Sequence, residues 1–200
     1  MADRAFVVGL SGVPGAGKTT LTQLLLQNYR QAQAVYYDQF QTVTLMSPTQ
    51  IRGWFERGGD PNEFPLSELL GELTRRTQIP PGAERRPLVL FETPFGRLHR
   101  ATGAFVDFLV WIDTPFDVAL SRAVLAFLDA AQRDKAPNAA ADFIRWQRQY
   151  MLNYPTIRAM YLAQRDSISA AADLVLDGSQ STAELAAAVV KSLAARGVES

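Results

Sequence analysis

The chain has 200 residues, a formal net charge of zero and no cysteine, and 48% of its residues are apolar. This length and apolar content are typical of one globular domain, so we predict a single domain over residues 1–200. The neutral balance of charge argues against nucleic acid or an anionic membrane as a partner, and the lack of cysteine excludes disulfides, cysteine zinc sites and cysteine nucleophiles.

Short apolar runs alternate with longer amphipathic segments along the chain. In chain order they predict a strand at 5–10, a helix at 18–29, a strand at 34–37, helices at 47–57 and 66–77, strands at 88–91 and 108–112, helices at 115–130 and 141–153, a strand at 173–176 and a helix at 182–195. The strands lack polar alternation, as expected when both faces are covered. The pattern predicts an α/β fold with a doubly wound, mostly parallel sheet and helices on both faces.

Two segments of the sequence are considered as a signal peptide or a membrane span. The first residues lead almost directly into an apolar strand and show no division into the charged, apolar and cleavage regions of a signal peptide. The apolar run at 105–112 is too short to span a bilayer. We therefore expect a cytoplasmic protein without a membrane partner.

A glycine-rich loop lies between the first predicted strand and the first predicted helix. Its spacing, G-x-x-x-x-G-K-T, is that of a phosphate-binding loop, in which glycines let backbone N–H groups face phosphate oxygens at a helix N-terminus. Lys18 is expected to reach the β- and γ-phosphates, and the Thr19 hydroxyl to bind magnesium. The residues predicted to bind nucleotide here are Gly12, Val13, Pro14, Gly15, Ala16, Gly17, Lys18, Thr19 and Thr20. The predicted cofactors are ATP and Mg²⁺.

Two carboxylates follow predicted strands, Asp38 after the second and Glu92 after the third. Carboxyl ends of parallel strands meet at one edge of a sheet, so both are expected near the phosphate loop. We predict that Asp38 is catalytic, binding an acceptor hydroxyl and taking its proton, and that Glu92 joins Thr19 in the metal site beside the substrate. Two alternatives stay open: the carboxylates share the metal, or each caps a neighbouring helix.

The order of these motifs resembles the uridine kinase, nicotinamide riboside kinase and phosphoribulokinase-like group of small-molecule kinases. After the glycine loop, the segments that carry the resemblance are 37–40 (Tyr-Asp-Gln-Phe), 60–64 (Asp-Pro-Asn-Glu-Phe), 90–92 (Leu-Phe-Glu), 108–122, 149–150 and 172–174. The resemblance implies a P-loop kinase with a helical lid at approximately 122–165. It also implies that Arg122 binds the nucleotide and acts on the transferred phosphoryl group.

Several positions depart from the pattern of that group. Thr93 stands where a glycine is usual, and Asp60 replaces a histidine. Ala123 and Ala126 occupy positions where lid arginines are expected. These differences favour an acceptor that is not uridine itself.

The predicted lid is rich in positive charge, with seven basic residues against three acidic ones. An arginine that closes over the phosphates neutralises the charge that develops during transfer. After Arg122, Arg133 is predicted to contact the nucleotide, because the polar stretch around it could fold over the site. The alternative is a solvated helix face, as most charge runs are.

The acceptor side is predicted from residues that follow the two carboxylates. Arg97 and His99, the only histidine, come shortly after Glu92, where an acceptor-binding loop is expected. Phe40 follows Asp38 and is expected to stack on the acceptor. The other aromatic residues that could do so are Trp54, Phe64 and Phe95.

Together these features predict an ATP-dependent kinase that phosphorylates a hydroxyl of a small metabolite, a nucleoside or another sugar-containing acceptor. A nucleotide switch or regulatory NTPase that hydrolyses ATP or GTP is an alternative, although the sequence has no Asn-Lys-x-Asp base-reading motif. A nucleotide-binding protein without turnover is a second alternative. The oligomeric state stays open, a homo-oligomer included.

Overall fold

The computed structural model describes residues 4–40, 46–83, 85–133 and 139–198. The described strands are β1 (Phe6–Ser11), β2 (Gln33–Tyr36), β3 (Leu88–Glu92), β4 (Phe108–Asp113) and β5 (Leu174–Asp177). The described helices are α1 (Lys18–Asn28), α2 (Pro48–Glu56), α3 (Ser67–Thr77), α4 (Arg100–Gly103), α5 (Phe116–Arg133), α6 (Ala139–Ala170) and α7 (Thr182–Ala194). The five described strands form one parallel sheet in the order β2-β3-β1-β4-β5, flanked by helices, which confirms the predicted fold class.

The strand register determines which residues meet at the carboxyl edge of the sheet. Leu10, near the end of β1, pairs with Glu92 of β3. Tyr36, at the end of β2, pairs with Glu92 from the other side. The phosphate loop after β1 and the turn after β2 therefore both leave the sheet beside Glu92.

The central strands are covered on both faces, as their apolar sequences predicted. Every residue of β3 is buried, and β1 is buried from Val7 onward. On the outside, α1 packs against α7, and α6 packs against β4 and α2. Burial of these continuous apolar strands is the main stabilising contribution to such a sheet.

Two helices begin at the sites that their sequences specify. At the start of α2, the Ser47 hydroxyl accepts a hydrogen bond from the Gln50 N–H at 3.3 Å, and Gln50 Oε1 accepts one from the Ser47 N–H at 2.7 Å. The same reciprocal pair, Ser181 with Glu184, precedes α7. These capping boxes satisfy N–H groups that the first turn leaves unpaired.

The prediction that the last lid helix ends near residue 153 was wrong, because α6 continues to Ala170 with Pro155 inside it. A proline inside a helix removes one hydrogen bond. The residues beyond it, Ile157 and Ile168, are each 1% exposed, and their burial stabilises the continued helix. Although α6 is the longest described helix, neither it nor another helix of the described ranges is long and apolar enough to cross a membrane.

Three short elements were not predicted: α4 and the 3-10 turns Tyr37–Gln39 and Pro61–Glu63. The first turn matters for the site, because Asp38 lies in it rather than at the end of a strand. Asp134 and Lys135, which were counted in the lid charge, lie outside the described residues.

Candidate active site

The phosphate loop joins β1 to α1 and owes its shape to two glycines with positive φ. Gly15 has φ +80° and Gly17 has φ +99°, a region that residues with a Cβ rarely adopt. A Cβ on Gly15 would also overlap the carbonyl oxygen of Ala119 in α5. Gly17 is the N-cap of α1, so the first N–H groups of that helix open onto the loop. The loop backbone thus provides the donors that phosphate oxygens need.

The Lys18 side chain folds back over this loop. Its Nζ donates hydrogen bonds to the carbonyl oxygens of Gly12 at 2.9 Å and Val13 at 3.2 Å. Burial lowers the pKa of Lys18, whereas the nearby carboxylates of Glu92 and Asp38 act to raise it. An ammonium held against the loop carbonyls is positioned to meet phosphate oxygens.

Glu92 accepts a hydrogen bond from the phosphate-loop threonine. The Thr19 hydroxyl lies 3.0 Å from each carboxylate oxygen of Glu92, a residue that is only 6% exposed. Burial raises the pKa of Glu92, Lys18 and Thr19 act to lower it, and Asp38 adds to the increase. A hydroxyl and a carboxylate that reach the same point are oxygen donors of the kind that Mg²⁺ takes from proteins, with phosphate and water completing the shell. These two residues fit a magnesium ion.

Asp38 is exposed, in the turn that follows β2. Its charge acts to raise the pKa of both Lys18 and Glu92. Phe40, two residues on, is half-buried against the core. The structure thus brings Lys18, Thr19, Asp38 and Glu92 to one edge of the sheet, while the roles assigned to them stay predictions.

The predicted acceptor residues after Glu92 are engaged in contacts that hold the fold together. Arg97 forms an ion pair with Asp173 at 2.7 Å and donates to the carbonyl oxygens of Val106, Asp107 and Ala171. His99 is buried, caps α4 by accepting from the Thr102 N–H, and lies 3.3 Å from the Phe64 carbonyl oxygen. A substrate contact by either residue stays a prediction and would require some of these bonds to break.

The lid arginines fall into two groups. Arg122 and Arg133 are exposed on α5, and neither has an ion pair or hydrogen bond with the described part of the chain. Arg158 of α6 instead lies over the Phe116 ring at 5.5 Å, and Arg165 pairs with Asp113 at 3.1 Å. The nucleotide contacts predicted for Arg122 and Arg133 stay predictions.

Two features of the carboxyl edge were missed in the sequence. Asp113 ends β4 and Asp177 ends β5, and their strand-end positions were the signal that could have identified them. Tyr37 precedes Asp38 and is packed among aromatic side chains, its ring centroid 5.6 Å from that of Phe95. Nothing in the sequence distinguished Tyr37 from an ordinary core residue.

Comparison with known proteins shows which solved structures share the fold of this chain. No family model matches the sequence, and no curated protein matches it. The structure of shikimate kinase from Aquifex aeolicus is 18% identical, with a TM-score of 0.52, covering 98% of this chain and 100% of that chain. A sugar kinase from Janibacter sp. is 16% identical, with a TM-score of 0.51, covering 98% of this chain and 99% of that chain. The chain therefore has the fold of the P-loop small-molecule kinases, and the likeness does not single out the uridine kinase-like group.

Proposed function

We propose that this protein is an ATP-dependent kinase that transfers the γ-phosphoryl group to a hydroxyl of a small metabolite. The observation that carries the proposal is the contact of Glu92 with Thr19 beside Lys18, with Asp38 at the same edge of the sheet. We infer a small-molecule substrate, no role for nucleic acid or a membrane in the reaction, and a cytoplasmic location.

The phosphate loop and its neighbours bind the nucleotide in this proposal. Backbone N–H groups of the loop and of the start of α1 donate to phosphate oxygens, and Lys18 moves its hydrogen bonds from loop carbonyls to the β- and γ-phosphates. Thr19 and Glu92 hold Mg²⁺. The ion, when bound, supplies positive charge that stabilises the transferring group.

The acceptor binds beside Asp38. This carboxylate accepts a hydrogen bond from the reacting hydroxyl and takes its proton as the new oxygen–phosphorus bond forms and ADP leaves. Because Asp38 is exposed, an acceptor can reach it without displacing a protein partner. Phe40 is proposed to contact the acceptor from the same turn, and Arg122 and Arg133 to close over the phosphates.

For the acceptor we propose a hydroxylated ring compound. The resemblance in sequence is to kinases of uridine and nicotinamide riboside, and the structural neighbours are named as kinases of shikimate and of a sugar. These compounds share a ring that carries neighbouring hydroxyl groups. An acceptor of that chemistry accounts for both resemblances.

The test is ADP release from ATP and Mg²⁺ with and without shikimate, uridine, nicotinamide riboside and D-glucose. We expect turnover that depends on an acceptor, and we expect Asp38→Asn to reduce it by roughly 10²-fold or more, because the amide cannot take a proton. ATP affinity is expected to survive. Asp129→Asn on the exposed face of α5 is the matched control.

Two results would contradict the proposal. One is ATP hydrolysis by the wild type at the same rate with no acceptor present, which would favour a regulatory NTPase. The other is acceptor-dependent turnover that Asp38→Asn leaves unchanged.

A further inference from the structure

Tyr37 presents a buried hydroxyl that has no hydrogen-bond partner among the described residues. The side chain is 1% exposed and precedes Asp38 in the same turn. Buried polar groups are nearly always paired, because an unpaired donor loses its hydrogen bonds to water and gains nothing in return. Such an exception calls for an explanation, and its place in the structure decides whether that explanation is functional.

The Tyr37 ring packs against aromatic neighbours. The ring stands edge-on to Phe95, whose own ring stacks on Phe64 with a centroid distance of 6.1 Å and an interplanar angle of 8°. Phe95 lies shortly after Glu92, so Tyr37 packs against the segment that leaves β3 at the carboxyl edge of the sheet.

The position of this hydroxyl connects it with the proposed site. Tyr37 and Asp38 are consecutive residues of the turn Tyr37–Gln39 that follows β2. Burial raises the pKa of Tyr37 and the charge of Asp38 raises it further, so the phenol is a neutral donor at neutral pH. Asp38 in turn influences Glu92 and Lys18. A neutral donor thus lies beside the carboxylate that we assign to the acceptor.

A second tyrosine shows that a buried, unpartnered hydroxyl does not by itself indicate a role in the active site. The Tyr29 hydroxyl is also buried and unpartnered in the described chain, and its side chain is 4% exposed. Tyr29 follows the last residue of α1, at the opposite end of that helix from the phosphate loop. It lies near no residue of the candidate site and provides a matched control.

We propose that the Tyr37 hydroxyl donates a hydrogen bond to an oxygen of the acceptor next to the hydroxyl that Asp38 binds. Tyr37 is then a specificity-determining residue that selects acceptors with two neighbouring oxygens, such as a vicinal diol. This inference rests on the proposed kinase function. It also explains why the chain keeps a donor that is unpaired in the free protein.

The experiment compares Tyr37→Phe and Tyr29→Phe with the wild type. For each compound of the acceptor panel that the wild type phosphorylates, we expect Tyr37→Phe to raise the acceptor KM about 3- to 10-fold, the loss expected for one hydrogen bond. The KM for ATP and kcat are expected to change by less than about twofold. Without ligands, both variants are expected to unfold about 2–4 °C higher, since each removes an unpaired buried hydroxyl. Tyr29→Phe should leave every kinetic constant unchanged.

The outcomes separate the two proposals. If the wild type phosphorylates an acceptor and Tyr37→Phe leaves its KM unchanged, the assignment of Tyr37 is wrong and the kinase function stands. A lower unfolding temperature for ligand-free Tyr37→Phe would show that the hydroxyl is paired in the free protein, and would overturn the inference without any acceptor. If the wild type phosphorylates none of the four compounds, both proposals fail for this acceptor class.

Discussion

Around the phosphate loop Lys18 and Glu92 already have hydrogen-bond partners inside the protein, whereas Arg122 and Arg133 of α5 are exposed to solvent. Lys18 is bonded to loop carbonyls and Glu92 to the Thr19 hydroxyl. Arg122 and Arg133 make no comparable bond with the described residues. The loop side of the site is thus preorganised by the sheet. The α5 side instead holds exposed arginines that have no such bond with the described residues.

The phosphate loop and α5 nevertheless lie close together in the structure. Val13 and Pro14 of the loop line the same small cavity as Phe116 and Ala119 of α5. The Cβ that Gly15 lacks would overlap the backbone of the same helix. The first turns of α5 therefore lie directly on the loop, and Arg122 follows one turn further along the same helix. Substitutions on the loop side should reduce activity most, and those on the lid side least.

Lys18→Ala should have the largest effect. Removing the ammonium that meets the phosphates should lower turnover on the order of 10³-fold, because electrostatic stabilisation dominates phosphoryl transfer. The measurement is kcat for ADP release in the presence of acceptor, with thermal unfolding to verify the fold. Lys191→Ala, on the exposed side of α7, is the control. Near-normal turnover by Lys18→Ala would remove the loop from the reaction.

Glu92→Gln should have an intermediate effect that depends on magnesium. The amide keeps the size of the side chain but loses the charge that holds the cation, so the Mg²⁺ concentration for half-maximal rate should rise about 10-fold. A magnesium titration of the rate at saturating ATP measures this shift. Glu68→Gln on the exposed part of α3 should leave the titration unchanged. An identical titration for Glu92→Gln would exclude Glu92 from the metal site.

Arg122→Ala should have the smallest effect, since one exposed charge contributes about 1 kcal/mol, or roughly fivefold in rate. We expect kcat to fall more than ATP affinity, because the arginine acts mainly on charge that develops during transfer. Arg30→Ala, exposed beyond the far end of α1, is the control. Wild-type kinetics for Arg122→Ala would exclude Arg122 from the closing role, and Arg133, Arg145 and Arg148 of the predicted lid would be tested next. A loss as large as that of Lys18→Ala would contradict the difference between the two regions.

Most of the site around the phosphate loop could be predicted, because it depends on short sequence motifs and on a general rule of sheet topology. The spacing of Gly12, Gly17 and Lys18 is contiguous in the chain, and it specifies a backbone conformation that glycines permit. In any parallel sheet the carboxyl ends of the strands share one edge, and this rule predicted that Asp38 and Glu92 lie near each other. The register that places Tyr36 beside Glu92 agrees with that prediction.

The sequence by itself thus determined the α/β class, the phosphate loop and the edge where carboxylates gather, because these depend on periodicity and short-range spacing. Only the tertiary structure decided the contacts that join distant segments. Arg97 bonds to Asp173, 76 positions away, and α6 continues past Pro155 because buried side chains beyond it stabilise the helix. The Tyr37 hydroxyl lacks a partner among the described residues because of the side chains that surround it, and no sequence pattern predicts those neighbours. Such contacts depend on which surfaces meet when the elements pack, so they are known only once the fold is complete.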